Sequence, residues 1–252
     1  MESAWISVGE DGYPAHHIIG ALSPLMNENR IKRLKDVLAQ RLTSVVLGIE
    51  DLHHEHNGFA CLRTAEGLGV HHVMAAEVRN PYPLGVEKGA GTKRAQRKSQ
   101  GKVLENISKS AHRWIELDRY TSGINLVKSA QSKGYRVFGA GPRGSLTLNE
   151  IPIDQPLMIL FGNEGDGLQE ETMESCDGVF RIPMYGFTES FNISVSVGMV
   201  LEQVCHRVRT RLNQEGKKGE LSPYDQERLL AEWCIREFKQ APAVLKHLLQ
   251  SD

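Results

Sequence analysis

The chain has 252 residues, of which 40% are hydrophobic and 24% are charged, and its formal net charge is −1. This composition is typical of a folded globular protein and excludes a polycation, so any affinity for nucleic acid has to come from local basic patches. The four cysteines lie far apart without metal-ligand spacing, which argues against a zinc site or a disulfide framework and predicts a protein of the reducing cytoplasm. No apolar run approaches the length of a membrane span and no targeting leader opens the chain, so we expect a soluble protein.

The first 110 residues predict an extension, two helices and two strands, followed by a long loop. Residues 1–25 lack sustained periodicity, and we expect a loosely ordered extension there. The stretch NENRIKRLKDVLAQR carries apolar residues at helical spacing and predicts a helix. SVVLGIE then predicts a buried strand, FACLRTAEGLG a helix that ends at Gly67 or Gly69, and HHVMAAE a second strand. Residues 79–110 are rich in Gly, Pro and basic residues and predict a long surface loop.

The rest of the chain alternates between helical and strand patterns. INLVKSAQSKG predicts a helix, YRVFGA and LMILFG two strands, LQEETMESC a short helix, VFRIPM a strand and SVSVGMVLEQVCHRVRTRL a long helix. Short continuous apolar strands that alternate with helices are typical of an α/β fold with a mainly parallel sheet. The last segment predicts two amphipathic helices, the first with Ser222 as N-cap and Pro223 in its first turn. We therefore divide the chain into the extension 1–25, a central domain 26–220 and a C-terminal helical extension 221–252.

One glycine-rich stretch, YRVFGAGPRG, satisfies the G-x-G-x-x-G spacing of a dinucleotide-binding fingerprint through Gly139, Gly141 and Gly144. That fingerprint also needs a helix that starts inside the motif, because the helix N-terminus faces the pyrophosphate. The residues after Pro142 have no helical pattern, which favours a glycine-rich turn over a nucleotide-dependent oxidoreductase. Such a turn can still line a ligand crevice at the carboxyl end of a strand.

Two further stretches place polar residues at strand–helix junctions. In LFGNEGDGL a buried strand runs into Gly162, Asn163 and Glu164, where glycines let the backbone approach a ligand but are also common for structural reasons. In HNGFACLRTAEGLG, Asn57 is placed to cap a helix. Arg63 stands among apolar neighbours, where an arginine more often pairs with a carboxylate than acts in chemistry. Each stretch alone leaves a structural and a functional interpretation open.

The stretch IPMYGFTESFNISVSVG, residues 182–198, is unusual for a soluble protein. A short apolar strand turns through Gly186 into a polar cluster that includes Ser190 and Asn192, and the chain then enters an apolar helix. Composition alone does not explain why a polar turn stands between two core elements.

Together the three stretches, in this order, closely resemble the three sequence motifs of the SpoU class of RNA ribose 2′-O-methyltransferases in the SPOUT superfamily. The resemblance spans roughly residues 26–240. The flanking segments NENRIKRLKDVLAQR, SAHRWI and SPYDQERLLAEW resemble the TrmH branch, which methylates tRNA guanosines. Phe191 stands where the family usually has leucine, and the loop at 86–109 is longer and more basic than is usual in the branch.

The resemblance implies an α/β domain whose C-terminal part forms a deep trefoil knot and which works as a homodimer. S-adenosylmethionine would bind in the knot crevice, mainly through backbone groups, and the turn at 185–192 would form one wall of this pocket with its polar groups facing inward. The implied cofactor-binding residues are Ala140, Gly141, Phe161, Gly162, Asn163, Ile182, Met184 and Ile193. The implied catalytic residues are Asn57, Arg63, Glu164, Ser190 and Asn192. No metal is implied.

The implied chemistry is attack of a ribose 2′-hydroxyl on the sulfonium methyl group, so the enzyme has to align the reactants and remove a proton. The family assigns the role of base to Arg63, but an arginine in a protein is effectively always protonated. We therefore expect Arg63 to orient the target phosphate and ribose and to stabilise the developing alkoxide. Hydrogen bonds from Asn57, Ser190 and Asn192 would fix this arginine and the ribose.

RNA is the expected partner, because local basic patches accompany the methyltransferase motifs in a chain of near-zero net charge. The branch resemblance points to tRNA, with the ribose of a D-loop guanosine as target. The alternatives are ribosomal RNA and a non-catalytic RNA-binding protein of the same fold. Ribosomal relatives often carry a separate N-terminal RNA-binding domain, for which residues 1–25 are too short. The residues expected to contact RNA are Arg30, Arg33, Arg41, Lys93, Arg94, Arg97, Lys98, Arg113, Arg207 and Arg209.

Overall fold

The computed structural model describes residues 3–81 and 111–249, which divide by their internal contacts into two compact units. The central unit runs from residue 43 to residue 215. The terminal unit combines the residues up to Leu42 with those from Gly216 onward. The domain boundaries expected from the sequence stay a prediction, because this division reflects contacts and not independent folding.

The described residues form strands and helices with the following bounds. The strands are β1 (Trp5–Val8), β2 (Asp11–Pro14), β3 (Leu42–Glu50), β4 (Val70–Ala76), β5 (Glu116–Tyr120), β6 (Arg136–Ala140), β7 (Leu157–Phe161) and β8 (Gly178–Phe180). The helices are α1 (Ala15–Leu22), α2 (Glu28–Leu38), α3 (Glu55–Gly67), α4 (Gly123–Ser132), α5 (Glu170–Ser175), α6 (Ile193–Gln214), α7 (Pro223–Glu237) and α8 (Ala241–Leu249). Short 3₁₀ turns lie at Ser23–Leu25, Ala111–Trp114 and Leu148–Glu150.

The central unit is built on a six-stranded sheet with the strand order β5-β4-β3-β7-β6-β8. The pairs β4–β5, β3–β7, β6–β7 and β6–β8 are parallel, so the prediction of an α/β fold with a mainly parallel sheet is confirmed. Because the strands β3, β7, β6 and β8 are neighbours and parallel, their carboxyl ends lie at one edge of the sheet. Ligands of open α/β sheets bind at that edge.

The central strands are buried on both faces, which explains their continuous apolar sequences. All five residues of β7 are buried, and β3 is buried along nearly its whole length. Helix α4 packs against β4 and β6 and places Leu126 and Val127 in a buried cluster with Met74, Val137 and Met158. The apolar runs of the sequence therefore form the core of the central unit.

The sequence pattern does not predict strand β5, whose sequence ELDRY contains three charged residues and no apolar run. This strand lies at the edge of the sheet, and its residues are half-buried or exposed. Its Asp118 is 3.0 Å from Nε2 of His72 on β4 and 2.9 Å from Nζ of Lys133. Charged side chains can stabilise an edge strand in this way without leaving an alternating pattern in the sequence.

Two helix boundaries agree with the capping and stop signals of the sequence. Helix α7 has Ser222 as its N-cap and Pro223 in its first turn, as predicted, and Oγ of Ser222 accepts a hydrogen bond of 3.1 Å from the backbone N–H of Asp225. Helix α3 ends at Gly67, one of the two glycines predicted to stop it. No helix in this described part of the chain is both long and apolar enough to cross a membrane.

The prediction of a loosely ordered extension at residues 1–25 is wrong for the described part of that segment. Strand β1 pairs antiparallel with β2, and α1 follows immediately. Helix α1 buries Ile18 and Leu22 completely and packs against α7 and α8 of the same unit. Oγ of Ser3 donates a hydrogen bond of 2.8 Å to Glu227, 224 positions away. The order of this segment therefore depends on partners at the other end of the chain, which no local pattern reveals.

Candidate active site

Residues expected to bind the cofactor are found at the carboxyl edge of the sheet. Ala140 ends β6 and Phe161 ends β7, and these two strands are neighbours. Ile182 and Met184 follow β8, the next strand in the sheet, and both are half-buried. Ile193 is the first residue of α6 and is buried. The fold thus places residues from three separate sequence stretches beside one another at the ends of adjacent strands.

Glu164 lies in the turn after β7 and binds the start of α3. Its Oε1 accepts a hydrogen bond of 2.7 Å from Nδ2 of Asn57, and its Oε2 accepts one of 3.0 Å from the backbone N–H of His53. Burial alone would raise the pKa of Glu164, but the hydrogen bonds from Asn57 and from the backbone of His53 outweigh it and hold the pKa below its usual range. Burial, with a smaller contribution from Glu164, raises the pKa of the Cys61 thiol to about 12, so this thiol remains neutral.

Asn57 does not cap its helix, because the N-cap of α3 is His54 and Asn57 lies in the first turn. Its side chain is buried and uses both ends of the amide. Nδ2 donates to Glu164, and Oδ1 accepts a hydrogen bond of 3.2 Å from Nδ2 of Asn192. The capping interpretation is therefore wrong, and Asn57 joins two residues that are far away in the sequence.

Asn192 is the N-cap of the long helix α6. Its Oδ1 accepts a hydrogen bond of 2.9 Å from the backbone N–H of Ser194 and one of 2.7 Å from the Ser194 hydroxyl. A continuous chain of hydrogen bonds consequently runs from Glu164 through Asn57 to Asn192, with one residue from each of the three motifs. The structure brings together three of the five residues expected to be catalytic.

Arg63 and Ser190, the other two expected catalytic residues, are exposed. Within the described ranges, neither side chain makes a hydrogen bond or an ion pair with another residue. The structural interpretation of Arg63, a pair with a carboxylate, is thus not found there. Nor do Asn57 and Asn192 bind Arg63 directly, as the resemblance led us to expect. The roles of Arg63 and Ser190 stay predictions.

The turn after β7 has a structural reason for its glycine. A Cβ added at Gly162 would be 1.9 Å from the carbonyl carbon of Gly167, so only glycine fits where the turn folds back on itself. Oδ1 of the buried Asn163 accepts hydrogen bonds from the backbone N–H groups of Gly165 and Asp166, at 2.9 and 2.7 Å. These contacts explain the sequence of the turn locally, and the cofactor-binding role of Gly162 and Asn163 stays a prediction.

The glycine-rich stretch after β6 forms a turn and not the start of a helix, as predicted. The N–H of Gly141 donates to the carbonyl oxygen of Phe180 at 2.9 Å, and the N–H of Gly144 donates to Gly141 at 3.0 Å. Only the 3₁₀ turn at Leu148–Glu150 interrupts the irregular chain between β6 and β7. The geometry of a dinucleotide-binding fingerprint is absent from this described stretch, which excludes it as such a site.

The expectation that the turn at 185–192 faces inward is wrong for the single chain. Every residue of this turn is exposed, and the side chains of Tyr185 and Phe187 are 95% and 109% exposed. Full exposure of two aromatic rings is unusual for a monomer. The polar groups of the turn were expected to face inward between core elements, but within residues 3–81 and 111–249 no element of the same chain buries them.

The sequence analysis did not single out two acidic residues at the end of β3. Glu50 is fully buried, and its Oε1 and Oε2 accept hydrogen bonds from Oγ1 of Thr172 at 2.7 Å and from the backbone N–H of Gln169 at 2.9 Å. Asp51, also buried, binds Arg79. The available signal was an acidic pair directly after an apolar strand. Despite these carboxylates, the described residues contain no group of three or more His, Cys, Asp or Glu that could hold a metal ion.

The three arginines of the terminal unit that were expected to contact RNA differ in their exposure and in their partners. Arg33 is exposed. Arg30 forms a two-point ion pair with Glu237, with nitrogen–oxygen distances of 2.8 and 2.9 Å. Arg41 is fully buried with its guanidinium 5.4 Å from the centre of the Trp233 ring, so the prediction that it contacts RNA is wrong. It follows α2 in the chain and does not lie on the exposed face of that helix.

In the central unit, the expected RNA-contacting arginines are half-buried. Arg207 donates to the carbonyl oxygen of Leu148 at 3.1 Å, and Arg209 donates to that of Leu68 at 2.7 Å, so both tie α6 to neighbouring loops. Arg113 stacks on its neighbour Trp114 at 5.3 Å. A guanidinium has five N–H groups and can bind more than one partner at once, so these contacts do not exclude RNA. The RNA-binding role of the three arginines stays a prediction. The expected contacts in the loop lie outside the described residues: Lys93, Arg94, Arg97 and Lys98.

Comparison with known proteins gives a matching family model and a similar relative. The model of the SpoU rRNA Methylase family matches residues 78–202. A tRNA (guanosine(18)-2′-O)-methyltransferase from Borreliella burgdorferi is 30% identical to the chain over 193 residues, which cover 76% of this chain and 79% of that protein. The match therefore extends over most of both proteins.

Solved structures give the same fold. A TrmH/SpoU tRNA modifying enzyme from A. aeolicus has a TM-score of 0.68 and 23% identity, covering 84% of this chain and 98% of that one. The SpoU methyltransferase AviRb from Streptomyces viridochromogenes, in complex with the cofactor AdoMet, has a TM-score of 0.51 and 19% identity and covers 67% of this chain and 58% of that one. Since the 30% identical relative, the family model and the hydrogen-bonded motif residues agree, this chain belongs to the SpoU methylase family.

Proposed function

We propose that this protein is an RNA ribose 2′-O-methyltransferase that uses S-adenosyl-L-methionine, with guanosine 18 of tRNA as its target. The observation that carries the proposal is the hydrogen-bond chain from Glu164 through Asn57 to Asn192, which joins one residue from each of three methyltransferase motifs. The relative from Borreliella burgdorferi is named for the same nucleotide. The family description names ribosomal RNA, which is the second candidate substrate.

The residues at the carboxyl edge of the sheet are suited to this cofactor. Ile182 and Met184 are half-buried, so they can offer apolar surface to an adenine ring, while Phe161 and Ile193 are buried apolar residues. We assign binding to these four residues together with Ala140, Gly141, Gly162 and Asn163. The bound cofactor supplies a methyl group that its positive sulfur has already activated. The remaining work of the protein is to align the ribose with that methyl group.

We assign the contact with the target ribose and phosphate to Arg63 and Ser190. Both side chains are exposed and bind no other side chain in the described ranges, so their hydrogen-bonding groups are available to a substrate. Because an arginine side chain in a protein is a permanent cation and a poor base, we assign to Arg63 the stabilisation of the alkoxide that develops on the ribose and not the removal of the proton.

Glu164, Asn57 and Asn192 act as positioning residues in this proposal. Their hydrogen bonds fix the first turn of α3 and the N-cap of α6. Arg63 lies further along α3, and Ser190 lies two residues before the N-cap of α6. The negative charge of Glu164 at the start of α3 is also favourable, because a helix N-terminus carries partial positive charge.

We also propose that the protein is a homodimer, because apolar side chains around the catalytic turn are uncovered. Tyr185 and Phe187 are almost fully exposed, and Phe191 is 40% exposed. On α6, the exposed Val195 and Met199 are four residues apart and so lie on the same face. An apolar patch of this kind is typical of an interface. A second copy that covers it would also enclose the turn that carries Ser190.

The trefoil knot of the family is part of the same proposal. It requires the chain after β8 to pass through the loop at residues 141–156. Support comes from contacts on both sides of this loop: the N–H of Arg181, just after β8, donates to the carbonyl oxygen of Leu146 at 2.9 Å, and Arg207 on α6 donates to Leu148 at 3.1 Å. The loop is held by the segments before and after the proposed crossing.

RNA contacts are assigned to basic residues outside the motifs. They are Arg33, Arg113, Lys93, Arg94, Arg97 and Lys98, with further contributions from Arg30, Arg207 and Arg209. Contacts of this kind to phosphates supply affinity and orientation. We place the protein in the cytoplasm, where tRNA and ribosomal RNA are modified and where its four cysteines, all free thiols, stay reduced.

Transfer of tritiated methyl groups from S-adenosylmethionine tests this function. We expect incorporation into an unmodified tRNA transcript, mapped to the 2′-oxygen of guanosine 18, and none into the same tRNA with a 2′-deoxyguanosine at that position. Incorporation into ribosomal RNA alone would favour the second candidate substrate. Absence of transfer to both RNAs, by a protein that binds S-adenosylhomocysteine, would support a non-catalytic RNA-binding protein and contradict the proposal.

A further inference from the structure

Arg79 connects two carboxylates that lie on different sides of the site. Its Nε is 2.5 Å from Oδ2 of Asp51, at the end of β3, and its Nη2 is 3.1 Å from Oδ2 of Asp166, in the turn after β7. The resemblance to the family assigns no role to any of the three residues. Asp166 stands two residues after Glu164, and its backbone N–H binds Oδ1 of Asn163.

Asp51 is a fixed anchor for Arg79. Its carboxylate is fully buried and accepts hydrogen bonds from the backbone N–H groups of Arg79 and Asn80, at 2.6 and 2.8 Å. Its own N–H donates to the carbonyl oxygen of Ala76 at 2.8 Å. Although burial opposes it, the hydrogen bonds from Arg79 and Asn80 hold the pKa of Asp51 below its usual range. Asp51 also has a φ of +54°, which is rare outside glycine and persists only where the surroundings define the conformation.

The side chain of Asp166, in contrast, is bound from outside its own turn, whereas its backbone N–H is bound within the turn by Asn163. Its side chain is 70% exposed, and Arg79 is its cationic partner. An isolated surface ion pair contributes little to stability, typically below about 1 kcal/mol. This pair is different because the guanidinium is already fixed by Asp51, so little side-chain entropy is lost when it binds Asp166. Arg79 thereby joins the turn at residues 162–167 to a rigid point at the end of β3.

We propose that Arg79 is a positioning residue that holds the turn at residues 162–167 in the conformation that binds the cofactor. This inference rests on the proposed cofactor site, which includes Gly162 and Asn163 of that turn. When only a fraction of the molecules has a competent turn, the apparent Kd for any ligand of the site rises in inverse proportion to that fraction. Arg79 therefore affects cofactor affinity without touching the cofactor.

The test is the Kd of S-adenosylhomocysteine and of S-adenosylmethionine, measured by calorimetry on the full chain. We expect Arg79→Ala and Asp166→Ala each to raise both Kd values about fivefold, and the double variant to raise them no further, because the two residues share one contact. The factor should be equal for the two ligands, since the lost contact acts on the turn and not on the ligand. A residue that contacts the cofactor directly would change the two affinities by different factors.

Arg119→Ala is the matched control. Arg119 is an arginine on β5 with a 37% exposed side chain, and it pairs with Glu77, which lies two residues before Arg79 and outside the turn. We expect its Kd values to equal those of the wild type. Arg79→Ala removes the cation that pairs with the buried Asp51 and could therefore misfold. Asp166→Ala leaves that pair in place, so it tests the contact with the turn even if Arg79→Ala does not fold.

The outcomes separate this inference from the proposed function. A wild-type protein that binds neither ligand contradicts the cofactor assignment itself. If the wild type binds both and folded Asp166→Ala binds them equally well, the positioning role of Arg79 is wrong. Additive effects in the double variant would also contradict it, because they would mean that the two residues act independently.

Discussion

The carboxylate of Glu164 accepts a 2.7 Å hydrogen bond from the amide of Asn57, although the two residues are 107 positions apart. The same amide accepts a hydrogen bond from Asn192, 135 positions further along the chain. Asn57 is buried, so neither partner can be replaced freely by water. These two contacts explain the residue types at the three positions. The Asn57 amide supplies an N–H donor for the Glu164 carboxylate and a carbonyl acceptor for the Asn192 amide.

Asn57→Ala should destabilise the protein and reduce methyl transfer together. It leaves the half-buried Glu164 and the exposed Asn192 each without one hydrogen-bond partner; because water can reach both groups, we expect a loss of about 0.5–1.5 kcal/mol, the net contribution of an ordinary hydrogen bond. Urea unfolding measures the loss, and the methyl transfer assay at saturating cofactor measures activity. Asn125→Ala is a suitable control, because Asn125 is exposed on α4 and should change the free energy of unfolding by less than about 0.5 kcal/mol. Equal stability of Asn57→Ala and the control would mean that the hydrogen-bond chain contributes nothing.

Acid should remove the stabilising effect of the Glu164 charge. The pKa of Glu164 is lowered by folding, so its carboxylate stabilises the protein above its unfolded pKa of about 4.3, and this contribution is lost as the pH falls through the lower folded pKa. We expect Glu164→Gln to be less stable than the wild type at pH 7 and the gap to close below about pH 4. Urea titrations of both proteins across pH measure this gap. A gap that is constant with pH would show that the charge is not involved.

Arg63→Ala should nearly abolish methyl transfer and leave the fold intact. The side chain is exposed and makes no polar contact with other described residues, so its removal leaves no buried group unpaired. We expect kcat to fall by at least about a hundredfold, as for the loss of a group that stabilises charge in a transition state. The melting temperature and the Kd of S-adenosylhomocysteine should stay those of the wild type. Lys128→Ala, an exposed charge on α4, controls for the loss of positive charge. Near-normal turnover of Arg63→Ala would remove this residue from the active site.

The sequence predicts what depends on local pattern and misses what depends on distant partners. Continuous apolar runs correctly predict β3, β4, β6 and β7, because strands buried on both faces need no polar side chains. The missing helix after Gly141 correctly excludes a dinucleotide fingerprint. Strand β5 is missed because its charged residues find partners on a neighbouring strand and helix. The order of residues 5–22 is missed because the helices that bury Ile18 and Leu22 come at the other end of the chain.

For the site, the sequence predicts which residues come together but not which contacts they make. Motif resemblance selects Asn57, Glu164 and Asn192, which the fold joins by hydrogen bonds. It does not reveal that Asn57 is a connector and not a cap, since that role depends on a carboxylate from another motif. The pattern of basic residues assigns Arg41 to an RNA-binding surface, because a linear sequence does not show that the residue is buried beside Trp233.

Phe187→Glu should separate the proposed dimer. The phenyl ring is fully exposed in the single chain, and a carboxylate in its place would be buried without a partner in an interface. We expect sedimentation velocity to show a dimer for the wild type and a monomer for the variant. The control is Trp5→Glu, which replaces another aromatic ring that is 70% exposed, but in the terminal unit. If the wild type is a monomer at micromolar concentration, the exposed rings need another explanation.

Neutralising Lys93, Arg94, Arg97 and Lys98 together should weaken tRNA binding and flatten its salt dependence. Each phosphate contact that is lost lowers the slope of log K against log salt by about 0.7 to 0.9, so four contacts would lower it by about 3. The methylated nucleotide should not change, because phosphate contacts carry little sequence information. Filter binding across a salt series, with modification mapping on the same variant, measures both. A variant that neutralises four exposed lysines outside the loop, Lys128, Lys218, Lys239 and Lys246, controls for the change in net charge. An unchanged slope would show that the four residues do not contact RNA, and a shifted methylation site would show that they select the target.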